Sequence, residues 1–282
     1  MARAHYENFP VASWLLPAAM RPHVAAVYAF ARVADDIADE GTAPAEDRLA
    51  RLNAWQRRLH AAVANYGNAS SAASHAHEDL IVVALAHSIR TLDLPLALFD
   101  DLMSAFGQDT MTTRYDSWDE LFDYCRRSAN PIGRLVLCIA GRRDQRLERS
   151  SDALCTALQL TNFWQDLKVD FDRGRIYLPA EEMRGHGAEE GDLAAGRITQ
   201  AWRAAMAAAV ARTRALFLTG RPLCGAVAGR LKHELRATWL GGMRVLSRIE
   251  RVDFDVVARR PSLGAADAPW LAWKLVTWAE QP

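Results

Sequence analysis

The chain has little cysteine, no long uncharged apolar run and no excess of charge of either sign, and each shortage closes off a class of protein. Its four cysteines, Cys125, Cys138, Cys155 and Cys224, include no Cys-x-x-Cys pair, so nothing points to a disulfide scaffold and reduced thiols are expected. No stretch reaches the roughly 18 apolar residues that a bilayer-spanning helix needs. The N-terminus shows no charged start followed by an unbroken apolar run, so no secretory signal is read there. Together these features predict a cytoplasmic protein. Lysine plus arginine equals aspartate plus glutamate at 34 each, which leaves no global field to draw in nucleic acid; a charged partner has to be recognised locally. There is no internal repeat and no nucleotide-binding glycine motif.

What is present suits helices. Half of the 282 residues are hydrophobic, many of them alanine and leucine, and glycine and proline are modest at 16 and 11. A chain of this length buries a sizeable core, and residues 1–282 are read as one all-α domain.

From Ala31 to Glu40 the chain reads Ala-Arg-Val-Ala-Asp-Asp-Ile-Ala-Asp-Glu, after a run over 24–30 that is apolar almost without interruption. On a helix nearly every face of that run should be buried. Asp35 and Asp39, four residues apart, then fall on one side, one turn above the other, with Asp36 close beside them. Like charges at that spacing repel, and a half-buried carboxylate pair needs a cation. Two cations fit. Arg32, three residues before Asp35 and four before Asp36, would make an ordinary helix salt bridge. The alternative is Mg²⁺, which takes few protein oxygens, keeps waters and is shared with substrate phosphates.

Proline and glycine punctuate the rest. An aromatic-rich opening segment over 5–16 precedes Pro22, which belongs in the first turn of the aspartate helix; Gly41 and Pro44 end that helix. A second helix is predicted over 45–66, a loop over 67–77, and helices over 77–92, 95–111 with Pro95 in its first turn, and 118–140. His75 and His77 in the loop lack the further ligands of a zinc set. Pro131 should kink or break the helix over 118–140 near Asn130, because it has no N–H and its ring clashes with the Arg127 carbonyl.

The next helix, over 147–170, carries Gln159, Asn162, Asp166 and Asp170 at spacings of three, four and four, beside Leu158, Leu160, Phe163, Trp164 and Leu167. A wet face would be lysine, glutamate and arginine; glutamine and asparagine with flanking aromatics predict the polar lining of a cavity. In the loop over 172–179, Arg173 and Arg175 flank Gly174, and guanidinium forks match phosphate oxygens. Two long helices are predicted over 193–218 and 222–250. The tail over 269–282, with Trp270, Trp273 and Trp278, is far too short to span a membrane. It reads either as a final helix packed on the core or as a tryptophan-rich face in peripheral contact with a bilayer.

Two Asp-bearing helices in an all-α chain can hold several Mg²⁺ ions across a cavity. A diphosphate bridging those ions would depart as a leaving group, since the metals neutralise the charge that develops on it. The carbocation left behind needs apolar and aromatic walls, whose ring faces attract cations. Tyr28, Phe30, Phe106, Phe163 and Trp164 are candidates for that lining.

Three segments carry a resemblance: Tyr28-Ala-Phe-Ala-Arg-Val-Ala-Asp-Asp-Ile-Ala-Asp, Gln159-Leu-Thr-Asn-Phe-Trp-Gln-Asp-Leu-Lys-Val-Asp, and Gly174-Arg-Ile-Tyr-Leu-Pro. Together they resemble the squalene/phytoene synthase family. The resemblance implies the all-α isoprenoid synthase fold, a helical bundle around a central cavity. It implies Mg²⁺ held at Asp35, Asp39, Asn162, Asp166 and Asp170, and an isoprenoid diphosphate substrate held with help from Tyr28, Arg32, Gln159, Phe163, Arg175 and Tyr177. Tyr124, in Tyr-Cys-Arg-Arg-Ser-Ala-Asn-Pro-Ile-Gly, falls where the family carries a tyrosine near the reacting carbons.

Two departures refine the reading. Asn130-Pro131 stands where the usual motif has a glycine region, and Gln165 replaces the arginine that usually precedes the aspartate matching Asp166. With the opening His-Tyr-Glu-Asn-Phe-Pro, these departures resemble the bacterial hydroxysqualene synthases of hopanoid pathways. Those enzymes ionise presqualene diphosphate and quench the rearranged cation with water; in such a scheme Arg32, Tyr124 and Asn130 act at the reacting centre, Asn130 orienting the water. The expected setting is the cytoplasm, including the inner membrane face, with other hopanoid-pathway enzymes as partners. Two alternatives stand beside this one: head-to-head condensation of two farnesyl diphosphates, as in squalene or phytoene synthesis, and a non-catalytic helical assembly factor of the same fold.

Overall fold

Alanine, leucine and arginine are strong helix formers, and in the computed structural model, which describes residues 15–39, 43–67 and 77–278, every regular element is helical. In order these are α1 (Arg21–Asp39), α2 (Ala45–Ala64), α3 (His77–Leu92), α4 (Leu96–Asp109), α5 (Trp118–Ser128), α6 (Asn130–Ile139), α7 (Gln145–Gln165), α8 (Leu167–Asp172), α9 (Ala180–His186), α10 (Glu190–Ala194), α11 (Gln200–Gly220), α12 (Leu223–Ala226), α13 (Gly229–Arg251) and α14 (Ala268–Val276). Among the described residues no helix is long and apolar enough to cross a membrane. Most of the opening segment, Gly41 and His75 lie outside the described residues.

Several boundaries differ from the sequence expectation. Pro95 caps α4 from outside rather than sitting in its first turn. The break expected near Asn130 is present: the stretch over 118–140 forms two helices, α5 and α6, divided at Ala129, with Pro131 accommodated in the first turn of α6, where its missing N–H costs nothing. The single helix expected over 147–170 divides at Asp166, whose backbone turns to φ −102° and ψ 10°. The stripe keeps its register, because Asp166 N–H still donates to the Asn162 carbonyl and Asp170 N–H to the Asp166 carbonyl, each at 2.8 Å. The two long helices expected near the C-terminus are each interrupted: Gly196, after α10, adopts φ of +69°, a left-handed conformation that stops a helix and that glycine takes without strain, and the chain is extended at Val227 and Ala228 before α13 opens on Gly229 at φ +67°.

The chain divides into two compact units. The N-terminal unit runs to Thr112 and takes in Arg126–Glu148; in it α1 packs on α2, α3, α4 and α6. Its core centres on Phe30, stacked on Trp55 at 5.2 Å and met edge-on by Phe99 at 6.0 Å. Trp55 Nε1 donates to the Phe30 carbonyl at 3.2 Å, so the indole satisfies its one donor while burying its ring. At the far end of α1 the Ala38 carbonyl would be an orphan of the last turn. Arg48 of α2 donates to it at 2.6 Å, fixing the end of the helix that carries the aspartates.

The C-terminal unit holds Thr113–Cys125 and continues from Arg149. Trp164, Trp202 and Phe217 are fully buried there. Each indole finds an acceptor: Trp164 Nε1 donates to Thr213 at 2.7 Å, and Trp202 Nε1 to the Glu189 carbonyl at 2.9 Å. None of the four cysteines is in a disulfide, and burial pushes the Cys224 thiol up to about 12, which makes it a poor nucleophile.

The tail helix α14 is tied down at its start and not along its length. Asp267, only 2% exposed, accepts from Arg248 at 2.7 Å, Arg244 at 3.2 Å and the Gly264 N–H at 2.9 Å. Burial alone would raise its carboxyl; the Gly264 N–H and the two guanidiniums outweigh that and hold it below the usual carboxylate range. A depressed value means that the anchor is complete above the ordinary aspartate pKa of about 3.9 and is lost as the pH falls through the lower folded-state value. Asp267→Asn should therefore loosen α14 at neutral pH. Tryptophan emission should shift to the red and α14 amides should lose hydrogen-exchange protection, while wild type behaves this way only in acid. A variant indistinguishable from wild type would mean that the rings alone hold the helix.

Candidate active site

In the N-terminal unit the acidic cluster sits on the side of α1 opposite the buried residues Phe30, Ala34, Ile37 and Ala38, with Asp35 and Asp36 half-buried and Asp39 exposed. Arg32 bridges its neighbours as its spacing allows, at 3.2 Å from Asp35 and 2.6 Å from Asp36. One guanidinium thus neutralises part of a charge that the helix geometry forces together. Tyr28 is half-buried one turn earlier. Phe30 is core and not lining. Asn130 is buried at the first position of α6, where the chain restarts after the break.

In the C-terminal unit the polar stripe is as the spacing predicts: Gln159, Asn162, Asp166 and Asp170 are all half-buried, while Leu158, Leu160, Phe163, Trp164 and Leu167 are buried. Phe163 lies next to Asn162 in sequence and stacks on Tyr177 with ring centroids 3.7 Å apart and planes 5° from parallel. Tyr124 joins them at 6.2 Å from Phe163 and 6.3 Å from Tyr177. Three aromatic residues named from the sequence therefore converge beside the carboxylate stripe. Trp164 belongs to the core instead.

Three participants were not visible in the sequence. Tyr115, buried before α5, completes the cluster at 5.6 Å from Tyr124 and 5.9 Å from Tyr177. Arg114 braces the loop with Gly174: it donates to the Gly174 carbonyl at 2.7 Å and forks onto Glu190 with two contacts of 2.8 Å. That fork, made against the opposing effect of burial, holds the Glu190 carboxyl below its ordinary value. The loop is pinned further by Ile176 N–H to the Thr113 carbonyl at 3.0 Å and Arg175 N–H to the Asp170 carbonyl at 2.8 Å. Arg175 is half-buried; Arg173 is exposed. Arg260, from an irregular stretch after α13, forks onto the Asp166 carboxylate through Nε and through Nη2, the latter at 3.0 Å. Gln165, beside Asp166, is 2% exposed, and its Nε2 has no hydrogen-bond partner among the described residues. No sequence signal links Arg114, Tyr115 or Arg260 to the stripe, because none of their contacts falls at a helical spacing and those to Gly174, Tyr177 and Asp166 span dozens of residues.

Among the described residues no three His, Cys, Asp or Glu side chains come together as a ready-made metal cage. An ion that keeps waters and shares substrate phosphates needs only one or two carboxylates at a time. Asp35 with Asp39, and Asp166 with Asp170, each offer that hard-oxygen set on an accessible helix face, so the donors fit Mg²⁺.

The sequence profile of the squalene/phytoene synthase family matches residues 2–267. The chain belongs to that family. It is 38% identical to the hydroxysqualene synthase of Zymomonas mobilis over 211 residues, which cover 74% of this chain and 67% of that one. It is 32% identical to the phytoene synthase of Thermus thermophilus over 99% of this chain and 91% of that one. Among solved structures, squalene synthase HpnC from Alicyclobacillus acidocaldarius superposes with a TM-score of 0.79 at 41% identity, covering 89% of this chain and 91% of that one. The all-α fold and the family expected from the three motifs are thereby established.

Arg260 and a divalent cation would compete for Asp166. Replacing Arg260 by Gln should tighten Mn²⁺ binding, followed by electron paramagnetic resonance, by about two- to fivefold, the worth of a half-exposed ion pair. Unchanged affinity would show that the arginine does not contest the carboxylate.

Proposed function

We propose that the chain converts presqualene diphosphate to hydroxysqualene, releasing diphosphate. The observation that carries this reading is the placement of the polar stripe in one continuous register along α7 and α8, beside Phe163 of α7, whose ring is stacked with Tyr177 and flanked by Tyr124. It puts groups for an anion and groups for a cation side by side. The similarity to the hydroxysqualene synthase of Zymomonas mobilis selects the reaction.

Asp35, Asp39, Asn162, Asp166 and Asp170 are the residues that would hold Mg²⁺, and the ions supply the positive charge that stabilises the departing diphosphate. Arg32, Gln159 and Arg175 are assigned to the diphosphate oxygens, and Arg260 is a cation paired with Asp166, the residue after Gln165. The C–O bond breaks with its electron pair going to the diphosphate. The cyclopropylcarbinyl cation that remains rearranges against the faces of Tyr124, Phe163 and Tyr177, whose quadrupoles attract it and whose bulk excludes stray water. One water adds its oxygen to the cation and loses a proton; Asn130, a buried amide at the helix break, is assigned to orient that water. No reductant enters this balance.

The similarity to the phytoene synthase of Thermus thermophilus favours a second reading, head-to-head condensation of two prenyl diphosphates. Incubation with Mg²⁺ and no NADPH separates the two. Hydroxysqualene from presqualene diphosphate alone, with farnesyl diphosphate untouched, is the expected result by mass spectrometry; consumption of farnesyl diphosphate would move the chain to the condensing class. Asp35→Asn and Asp166→Asn should each lower turnover by at least about a hundredfold with an unchanged helical circular-dichroism spectrum. Near-normal Mg²⁺-dependent turnover in either would refute the metal assignment.

A further inference from the structure

The C-terminal unit contains a cavity of about 380 Å³ between α13 and α14, apart from the carboxylate stripe. Its wall carries four cationic side chains, Arg221, Arg244, Arg251 and Lys274, and no carboxylate. In a chain whose charges balance at 34 of each sign, four cations around one hollow are a local feature. Two of the guanidiniums are held on indole faces: Arg244 lies 4.7 Å over Trp270, and Arg221 lies 5.0 Å over Trp278. Arg244 also donates from Nε to Asp267 at 3.2 Å, so these two stacked guanidiniums give the wall fixed positive charge. Arg251, at the exposed edge, makes no hydrogen bond or ion pair among the described residues.

The same helix shows an apolar side that no described residue buries. No residue of α14 is buried, and Trp273 and Val276 are 57% and 87% exposed. Lys274 sits 4.6 Å over the Trp273 ring, so the exposed tryptophan borders the cationic hollow. A soluble polyanion would explain the cations and leave Trp273 and Val276 bare. An oily ligand would cover those two and leave the exposed cation Arg251 unanswered. A phosphate head attached to an acyl chain answers both, and tryptophan beside lysine and arginine is the composition favoured at the level of lipid headgroups.

We propose that the hollow between α13 and α14 binds the phosphate head of an anionic membrane phospholipid, with Trp273 and Val276 entering the acyl boundary. The chain then rests on a bilayer by α14 without spanning it. The attraction is electrostatic in part, so it weakens with salt.

Vesicle flotation of the full chain tests this. Wild type should float with phosphatidylcholine vesicles that include phosphatidylglycerol and remain unbound with phosphatidylcholine alone. The double variant Arg251→Gln, Lys274→Gln should bind the anionic vesicles about thirtyfold more weakly, two cations near the surface being removed, and Trp273→Ser should also reduce binding. Both variants should keep the wild-type circular-dichroism spectrum and turnover on detergent-dispersed substrate. Equal binding to both vesicle types, binding to neither, or anionic binding that survives the double substitution overturns the proposal. Inorganic diphosphate in solution is the remaining arm. If it binds wild type, is lost in the double variant and strips wild type from vesicles at millimolar concentration, the hollow serves a soluble anion and the lipid assignment fails.

Discussion

Carboxylates of like charge one helical turn apart are the constraint on which the rest of this structure turns. A helix cannot separate Asp35 from Asp39, nor Asp166 from Asp170, without giving up its register, so the repulsion has to be met by cations from elsewhere. On α1 part of the answer is local, Arg32 reaching Asp35 and Asp36 from within the same helix. At Asp166 it is distant: Arg260 arrives from 94 residues away in sequence. Asp35, Asp166 and Asp170 are half-buried and Asp39 is exposed, which keeps the desolvation cost moderate and leaves the oxygens reachable.

Placing those acids depends on apolar packing that has no chemical role of its own. The Phe30–Trp55–Phe99 cluster seats α1 by its buried side, and the Arg48 contact to the Ala38 carbonyl closes its final turn. On α7 the alternation of buried and half-buried residues does the same for the stripe, with Trp164 locked to Thr213 beneath it. Rigid support of this kind matters because a binding group misplaced by about 1 Å loses much of its effect.

The α-helical class and the two acidic constellations were legible in the sequence because their signals are short-range, whereas Tyr177 was named only through the family resemblance and its stacking on Phe163 appears only in the fold. A spacing of three or four is a statement about one helix face, and it survived even the break at Asp166, since the backbone hydrogen bonds on either side continued across it. Helix ends were less legible. Alanine-rich runs over 193–218 and 222–250 carry no strong stop except glycine, and only the folded backbone shows that Gly196 and Gly229 use their freedom to adopt positive φ. Tyr115, Arg114 and Arg260 were out of reach for a different reason: an aromatic or an arginine in a connecting segment has no periodic partner, and its role exists only once tertiary contacts are made.

Gln165 and Arg260 together show how a charge can change owner without leaving a site. In the family pattern the cation beside Asp166 belongs to the adjacent residue of the same helix, where it is fixed with the backbone. Here that position is a buried amide, and the cation comes from Arg260, half-exposed on a segment outside any helix. A guanidinium built into a helix contributes its charge at all times. One carried by an irregular segment is held only by its partner, here through an ion pair with Asp166 worth about 1 kcal/mol at most. A site organised this way holds less permanent positive charge, which suits a reaction that begins from a single diphosphate rather than two.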